Sequence, residues 1–317
     1  MSWTAAHIPD LTDRVAVVTG ANGGLGLACA TELARHGAHV IMASRSPQKT
    51  DDARSALLAE VPEASLEVVP LDLASQRSVA EAVTAIASRH RAIDILIANA
   101  GVMAMPEGRT EDGFETQLAV NHLGHWTLIA GLLPALLAAP AARIVTTTSI
   151  ARHNGDPVDP RNPHLEGTYE DWKAYGQSKL AALHLALGLD RELRAAGTSA
   201  RAIAAHPGIT HTDLQKRTVR EGGGGSQGPF WESFAERRGM SEQRGALSQL
   251  RAATDPGARG GTLYGPRWAL AGAPVRRPLW GRMLRRARTE HAIASLWRAS
   301  EDVTGVPMNV RAAEASR

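Results

Sequence analysis

Six short apolar runs, rich in β-branched residues and separated by stretches of helical periodicity, set the strongest limit on what this chain can fold into. The runs lie at 15–19, 39–44, 66–71, 93–98, 143–148 and 200–205; the helical stretches lie at 25–36, 51–59, 76–89, 113–137 and 172–195. Successive parallel strands need crossovers, and right-handed crossovers place helices on both faces of one sheet. The expected fold is therefore α/β, a single doubly wound parallel sheet of six strands, with a seventh near 262–264. Ligands of such sheets bind in the crevice at the carboxyl ends of the strands.

The chain reads as one domain over residues 1–317, with two appended parts. Segment 209–257 follows the sixth strand and is expected to arch over the crevice as a lid. Its run EGGGGSQGPF at 221–230 reads as a mobile loop, and Phe230, Trp231, Phe234 and Met240 as apolar wall residues. A C-terminal extension spans 265–317 and holds VRRPLWGRMLRRAR at 275–288, read as a solvated helix face with one buried stripe. The net charge of +3 is small, so no nucleic-acid partner is expected, although the sequence pI is about 9.3. The single cysteine, Cys29, can form neither an internal disulfide nor a thiolate cage, which points to a reducing, cytoplasmic setting. No signal peptide is read, and the most apolar run, LIAGLLPALLAA at 128–139, is too short to span a bilayer. His122, His125 and His206 have no carboxylate or cysteine at ligand spacing and read as packing residues, so no metal is expected.

The first strand runs into TGANGGLG at 19–26, where Gly20, Gly24 and Gly26 stand at offsets of four and then two. Glycine here permits a tight turn, close backbone approach to a pyrophosphate and packing of the next helix, whose N-terminus faces the anion. The second strand ends in Ser44 and Arg45, where a site selective for NAD would place an acidic residue on the ribose hydroxyl. A neutral residue beside a guanidinium suits a 2′-phosphate, so NADP(H) is expected in preference to NAD(H). YGQSK places Tyr175 and Lys179 four residues apart on one helix face, and an adjacent ammonium is expected to lower a phenol's ordinary pKa of about 10.

Taken in order, TGANGGLG, Asp72–Leu73, ANAG at 98–101, VNHLGH with Asn121, TTTS ending at Ser149, YGQSK, and HPG at 206–208 resemble the short-chain dehydrogenase/reductase family. The resemblance covers residues 14 to about 212 and implies a Rossmann-type oxidoreductase fold acting on an alcohol or carbonyl. It assigns Tyr175 as general acid/base, Lys179 to the nicotinamide ribose, Ser149 to the reacting oxygen and Asn121 to a water relay toward Lys179. The cofactor contacts it implies are Gly20, Asn22, Gly23, Gly24, Leu25, Gly26, Ser44, Arg45, Asp72, Leu73, Asn99, Ala100, Gly101, Tyr175, Lys179, Pro207, Gly208, Ile209 and Thr212. NHLGHW, AYGQSKLA, HPGITHTDL and the long insert between Ser149 and Tyr175 are similar to the retinol-dehydrogenase-like and protochlorophyllide-reductase-like branch. The implied substrate is a lipophilic small molecule, and the implied assembly is a homodimer or homotetramer through the helices holding Asn121 and Tyr175. Two alternatives are an epimerase or dehydratase on the same fold and a non-catalytic NADP(H)-binding sensor.

Overall fold

The computed structural model describes residues 2–210, 218–220, 222–225, 233, 237, 239–278 and 290–315. Eight strands form one sheet in the order β3-β2-β1-β4-β5-β6-β7-β8. They are β1 (Val15–Thr19), β2 (His39–Ser44), β3 (Leu66–Pro70), β4 (Ile95–Ala98), β5 (Arg143–Thr147), β6 (Arg201–Ala205), β7 (Leu263–Pro266) and β8 (Pro274–Arg277). All neighbours are parallel except β7 and β8. The central strands are buried almost end to end, as two helix-covered faces require.

The eighth strand exceeds the six or seven expected. Its four residues, PVRR, show no alternation, and its proline is tolerated because the strand lies at the sheet edge. It also takes up residues 275–277, so this part of the basic segment is strand rather than helix; residues 279–289 lie outside the described residues.

The helices on the two faces are α1 (Gly24–Arg35), α2 (Pro47–Glu60), α3 (Gln76–Arg89), α4 (Thr116–Leu118), α5 (Gly124–Ala138), α6 (Asp171–Ala195) and α7 (Glu242–Thr254). α2 begins earlier than the apolar pattern suggested, because Ser46 caps it and Pro47 fits its first turn. The single helix expected over 113–137 is interrupted: α4 and α5 are joined by a π-turn at Ala119–Leu123 that contains Asn121.

The C-terminal helices α8 (Glu290–Thr304) and α9 (Val310–Ala315) complete the layer over α5 and α6. Trp126 and Trp297 meet edge to face at 5.1 Å, and Trp126 Nε1 donates to the Val306 carbonyl at 2.8 Å. A Cβ at Gly188 would lie 2.4 Å from the Trp297 ring, so glycine lets α8 approach α6 closely. Consequently α6 is buried continuously from Ala174 to Asp190 within a single chain. Among the described residues no helix is long and apolar enough to cross a membrane.

Candidate active site

The carboxyl ends of the strands open into a cleft of about 560 Å³. At one end lies the turn from β1 into α1. Gly20 turns at φ +67°, and a Cβ at Gly26 would fall 2.2 Å from the Gly20 carbonyl oxygen. The first turn of α1 has no side-chain cap, and a Cβ on Gly23 would meet nothing within 4 Å. Uncapped amide N–H groups beside open space make an anion cradle. Gly20, Asn22, Gly23, Gly24 and Leu25 line the cleft, whereas Gly26 lies beneath it and acts through packing.

The end of β2 presents Ser44, exposed Arg45, Ser46 and Lys49 to the cleft and carries no carboxylate. Ser44 is buried, and its hydroxyl hydrogen-bonds Thr50, whose Oγ1 donates to the Ser46 carbonyl at 2.8 Å. Asp72 and Leu73 also line the cleft; Asp72 Oδ1 accepts from the Ala74 amide at 3.0 Å. The turn Asn99–Gly101 forms the floor between the two ends.

Ser149, Tyr175 and Lys179 converge at the other end. Ser149 caps the short helix Ile150–His153, accepting from the Ala151 amide at 3.2 Å, and lies beside the Tyr175 phenol. Burial pushes Tyr175 up to about 12, with the Ser149 contact acting the other way. The expected lowering by Lys179 is not found: Nζ lies 5.8 Å from the ring centroid, and desolvation of the phenol sets the direction. Lys179 is itself held down to about 8 by burial. Its ammonium donates to the Thr147 carbonyl at 3.3 Å.

Asn121 stands one layer behind the cleft. Its Oδ1 accepts from the Val102 amide at 2.8 Å, and Nδ2 donates to the Val102 carbonyl at 2.9 Å and to Ser178 Oγ at 2.8 Å. The side chain thus clamps the floor to α6. A Cβ at Gly101 would come within 2.7 Å of Asn121 Oδ1 and 3.1 Å of Lys179 Nζ, so the missing side chain leaves Lys179 its place.

His125 ties this clamp to the cradle. Its Nδ1 lies 3.3 Å from the Asn121 carbonyl, which only accepts, so the ring proton belongs on Nδ1. Nε2 then accepts from Thr19 Oγ1 at 2.9 Å, and Thr19 Oγ1 in turn accepts the amides of Asn99 and Ala100, each at 2.9 Å. Burial holds His125 near 4 and His122 and His206 near 3, so all three are neutral at physiological pH.

Pro207, Gly208 and Ile209 line the cleft, while Thr212, Phe230, Trp231 and Phe234 lie outside the described residues. Met240 is not on the wall: it is buried, and its sulfur accepts from the Gly272 amide at 3.4 Å. The described glycines of the 221–230 run are docked rather than free. Gly224 donates to the Ala104 carbonyl at 2.7 Å and accepts from Trp172 Nε1 at 3.0 Å. A Cβ on Gly223 would fall 2.3 Å from the Ala104 oxygen, so only glycine permits this contact. Met103, Ala104, Ala151, Tyr175 and Trp172 pack as one apolar cluster beside the phenol.

Three contributors escaped sequence reading. Trp172 carried a signal, since it lies one turn before Tyr175. Leu270 reaches the cleft from the loop between β7 and β8 and carried none. Gln249 on α7 donates to Asn99 Oδ1 and Thr147 Oγ1, both at 2.9 Å, and bridges the floor to β5 from a distant segment.

Residues 14–222 match the family model described as short chain dehydrogenase. The chain is 39% identical over 213 residues to human retinol dehydrogenase 13, covering 65% of this chain and 61% of that protein. The chain spans about three fifths of the length of the curated relatives it matches, at 58%, 61% and 63%. An uncharacterised protein of Mycobacterium paratuberculosis superposes with a TM-score of 0.79 at 36% identity, covering 98% of this chain and 100% of that one. A Beutenbergia cavernae protein described as an NAD(P)-dependent gluconate 5-dehydrogenase, with bound NADP, superposes at 0.63 with 25% identity, covering 81% and 96%.

Proposed function

The chain belongs to the short-chain dehydrogenase family, and from that premise we propose that it is an NADP(H)-dependent oxidoreductase interconverting an alcohol and a carbonyl on a lipophilic small molecule. The observation that carries this reading is one cleft with two ends: Ser149, Tyr175 and Lys179 at one, an uncapped helix N-terminus with Arg45 and Lys49 at the other. The donor set fits a dinucleotide phosphate, since glycines keep the cradle open and no carboxylate stands at the end of β2.

When bound, the nicotinamide supplies the carbon that gives or takes the hydride. Tyr175 gives a proton to the carbonyl oxygen during reduction and takes it back during oxidation. Ser149 holds that oxygen against the phenol. Lys179 offers its remaining N–H groups to the ribose and its charge to the phenolate. Asn121 and His125 are positioning residues that hold the floor and the lysine. The apolar cluster of Met103, Ala104, Ala151 and Trp172 favours a lipophilic substrate, with only the part of segment 209–257 before α7 as its lid, since α7 packs on α1 and the sheet. The reading includes a cytoplasmic location, suggested by the single buried Cys29.

Tyr175→Phe tests the assignment. Turnover should fall below a few per cent of wild type while the Kd for NADPH, read by fluorescence, changes little. Retained turnover overturns the role of Tyr175.

A further inference from the structure

We propose that His39, Glu67 and His90 form a binding site for one borderline divalent cation of the Zn²⁺ class, at the end of the sheet opposite the cleft. His39 opens β2, Glu67 is the second residue of β3, and His90 caps the C-terminus of α3. Ile41 pairs with Glu67 in the parallel ladder, so His39, two residues earlier, projects on the same face as Glu67. α3 packs on that face, since Ile41 and Val69 share a core cluster with Val79 and Ile86.

Three ligating atoms therefore converge. Glu67 Oε2 is 2.8 Å from His90 Nε2 and 3.6 Å from His39 Nε2, and all three lie within 4.8 Å of one another. Tetrahedral Zn²⁺ with bonds of about 2.0–2.1 Å sets its ligand atoms about 3.3 Å apart, a rearrangement of roughly an ångström. His39 Nε2 is buried and has no hydrogen-bond partner. Its Nδ1 is 2.7 Å from Ser65 Oγ; donation to that hydroxyl leaves the Nε2 lone pair for a metal. Glu67 Oε1 is held by Arg89, and Oε2 shares a 2.8 Å hydrogen bond with His90 Nε2 that the cation would replace. Side-chain exposures of 30%, 17% and 14% for His39, Glu67 and His90 leave room for water to complete the shell. Two imidazoles with one carboxylate suit Zn²⁺ or Co²⁺ better than Ca²⁺ or Mg²⁺. Bound there, the cation ties the edge strand β3 to β2 and α3.

The test is calorimetric titration of the chelator-treated full chain with ZnCl₂, with Co²⁺ visible absorption as an independent readout of coordination. Wild type should bind one equivalent of Zn²⁺ and gain thermal stability, with no response to CaCl₂. His39→Ala and His90→Gln should each weaken binding at least tenfold, and Ser65→Ala, which keeps every ligand, about tenfold. Absence of Zn²⁺ binding by wild type overturns the proposal. So does an affinity unchanged in Ser65→Ala together with either histidine variant, which would mark the cluster as an ion pair only.

Discussion

Replacing Lys179 with methionine should abolish turnover and yet make the free protein more stable at neutral pH. Lys179 is 5% exposed, and burial lowers its pKa from 10.5 to about 8. Below pH 8 both folded and unfolded chains carry the charge, and the folded state bears its full desolvation penalty. Between about 8 and 10.5 the unfolded chain binds the proton and the folded one does not, so stability from this group rises with pH. Above 10.5 neither state is charged and the penalty is gone. At about 1.4 kcal/mol per pH unit, the penalty at pH 7 is about 3 kcal/mol. Methionine fills much of the same volume but forfeits the hydrogen bond to the Thr147 carbonyl, worth about 1 kcal/mol. The expected net gain is therefore about 1–3 kcal/mol at pH 7, shrinking to zero or a small loss by pH 10.5. Urea unfolding of both proteins at pH 7, 9 and 10.5 measures it. Tyr175, raised to about 12, makes both proteins lose stability above pH 10, and this cancels in the difference. A variant less stable than wild type at pH 7, or a gap that does not change with pH, would refute the reasoning.

The paired change Ser44→Asp with Arg45→Ala should move kcat/KM toward NAD(H). The lost charge-assisted contact to the 2′-phosphate is worth about 1.5–3 kcal/mol, or roughly ten- to a hundredfold in affinity; a wild type that prefers NAD(H) would sink this reading. The continuous burial of α6 from Ala174 to Asp190 within one chain leaves that stretch no face for the expected dimer or tetramer contact, so a cross-link between these stretches of two copies would contradict it.

What could be read from the sequence was whatever depended on short spacings. Tyr175 and Lys179 lie one helical turn apart, and the glycines at 20, 24 and 26 follow a strand directly, so local geometry alone brings them to the cleft. The strand runs were legible because central parallel strands are apolar throughout, and β8 was not because an edge strand needs only one partner. Direction of titration was misread for a related reason: spacing shows the lysine near the phenol, whereas much of the burial that lifts Tyr175 comes from Met103, Ala104 and Ala151, distant in sequence, with only Trp172 close by. The contacts of the glycine run were not legible because its composition speaks only of chain entropy. The same missing Cβ that frees Gly223 in the unfolded chain allows it within reach of the Ala104 carbonyl, so conformational freedom and close docking carry one sequence signature. The contact that decides between them belongs to residue 104, more than a hundred positions away. Gln249 and the His39, Glu67 and His90 cluster follow the same rule, since the sheet order that joins them exists only after every crossover has been made.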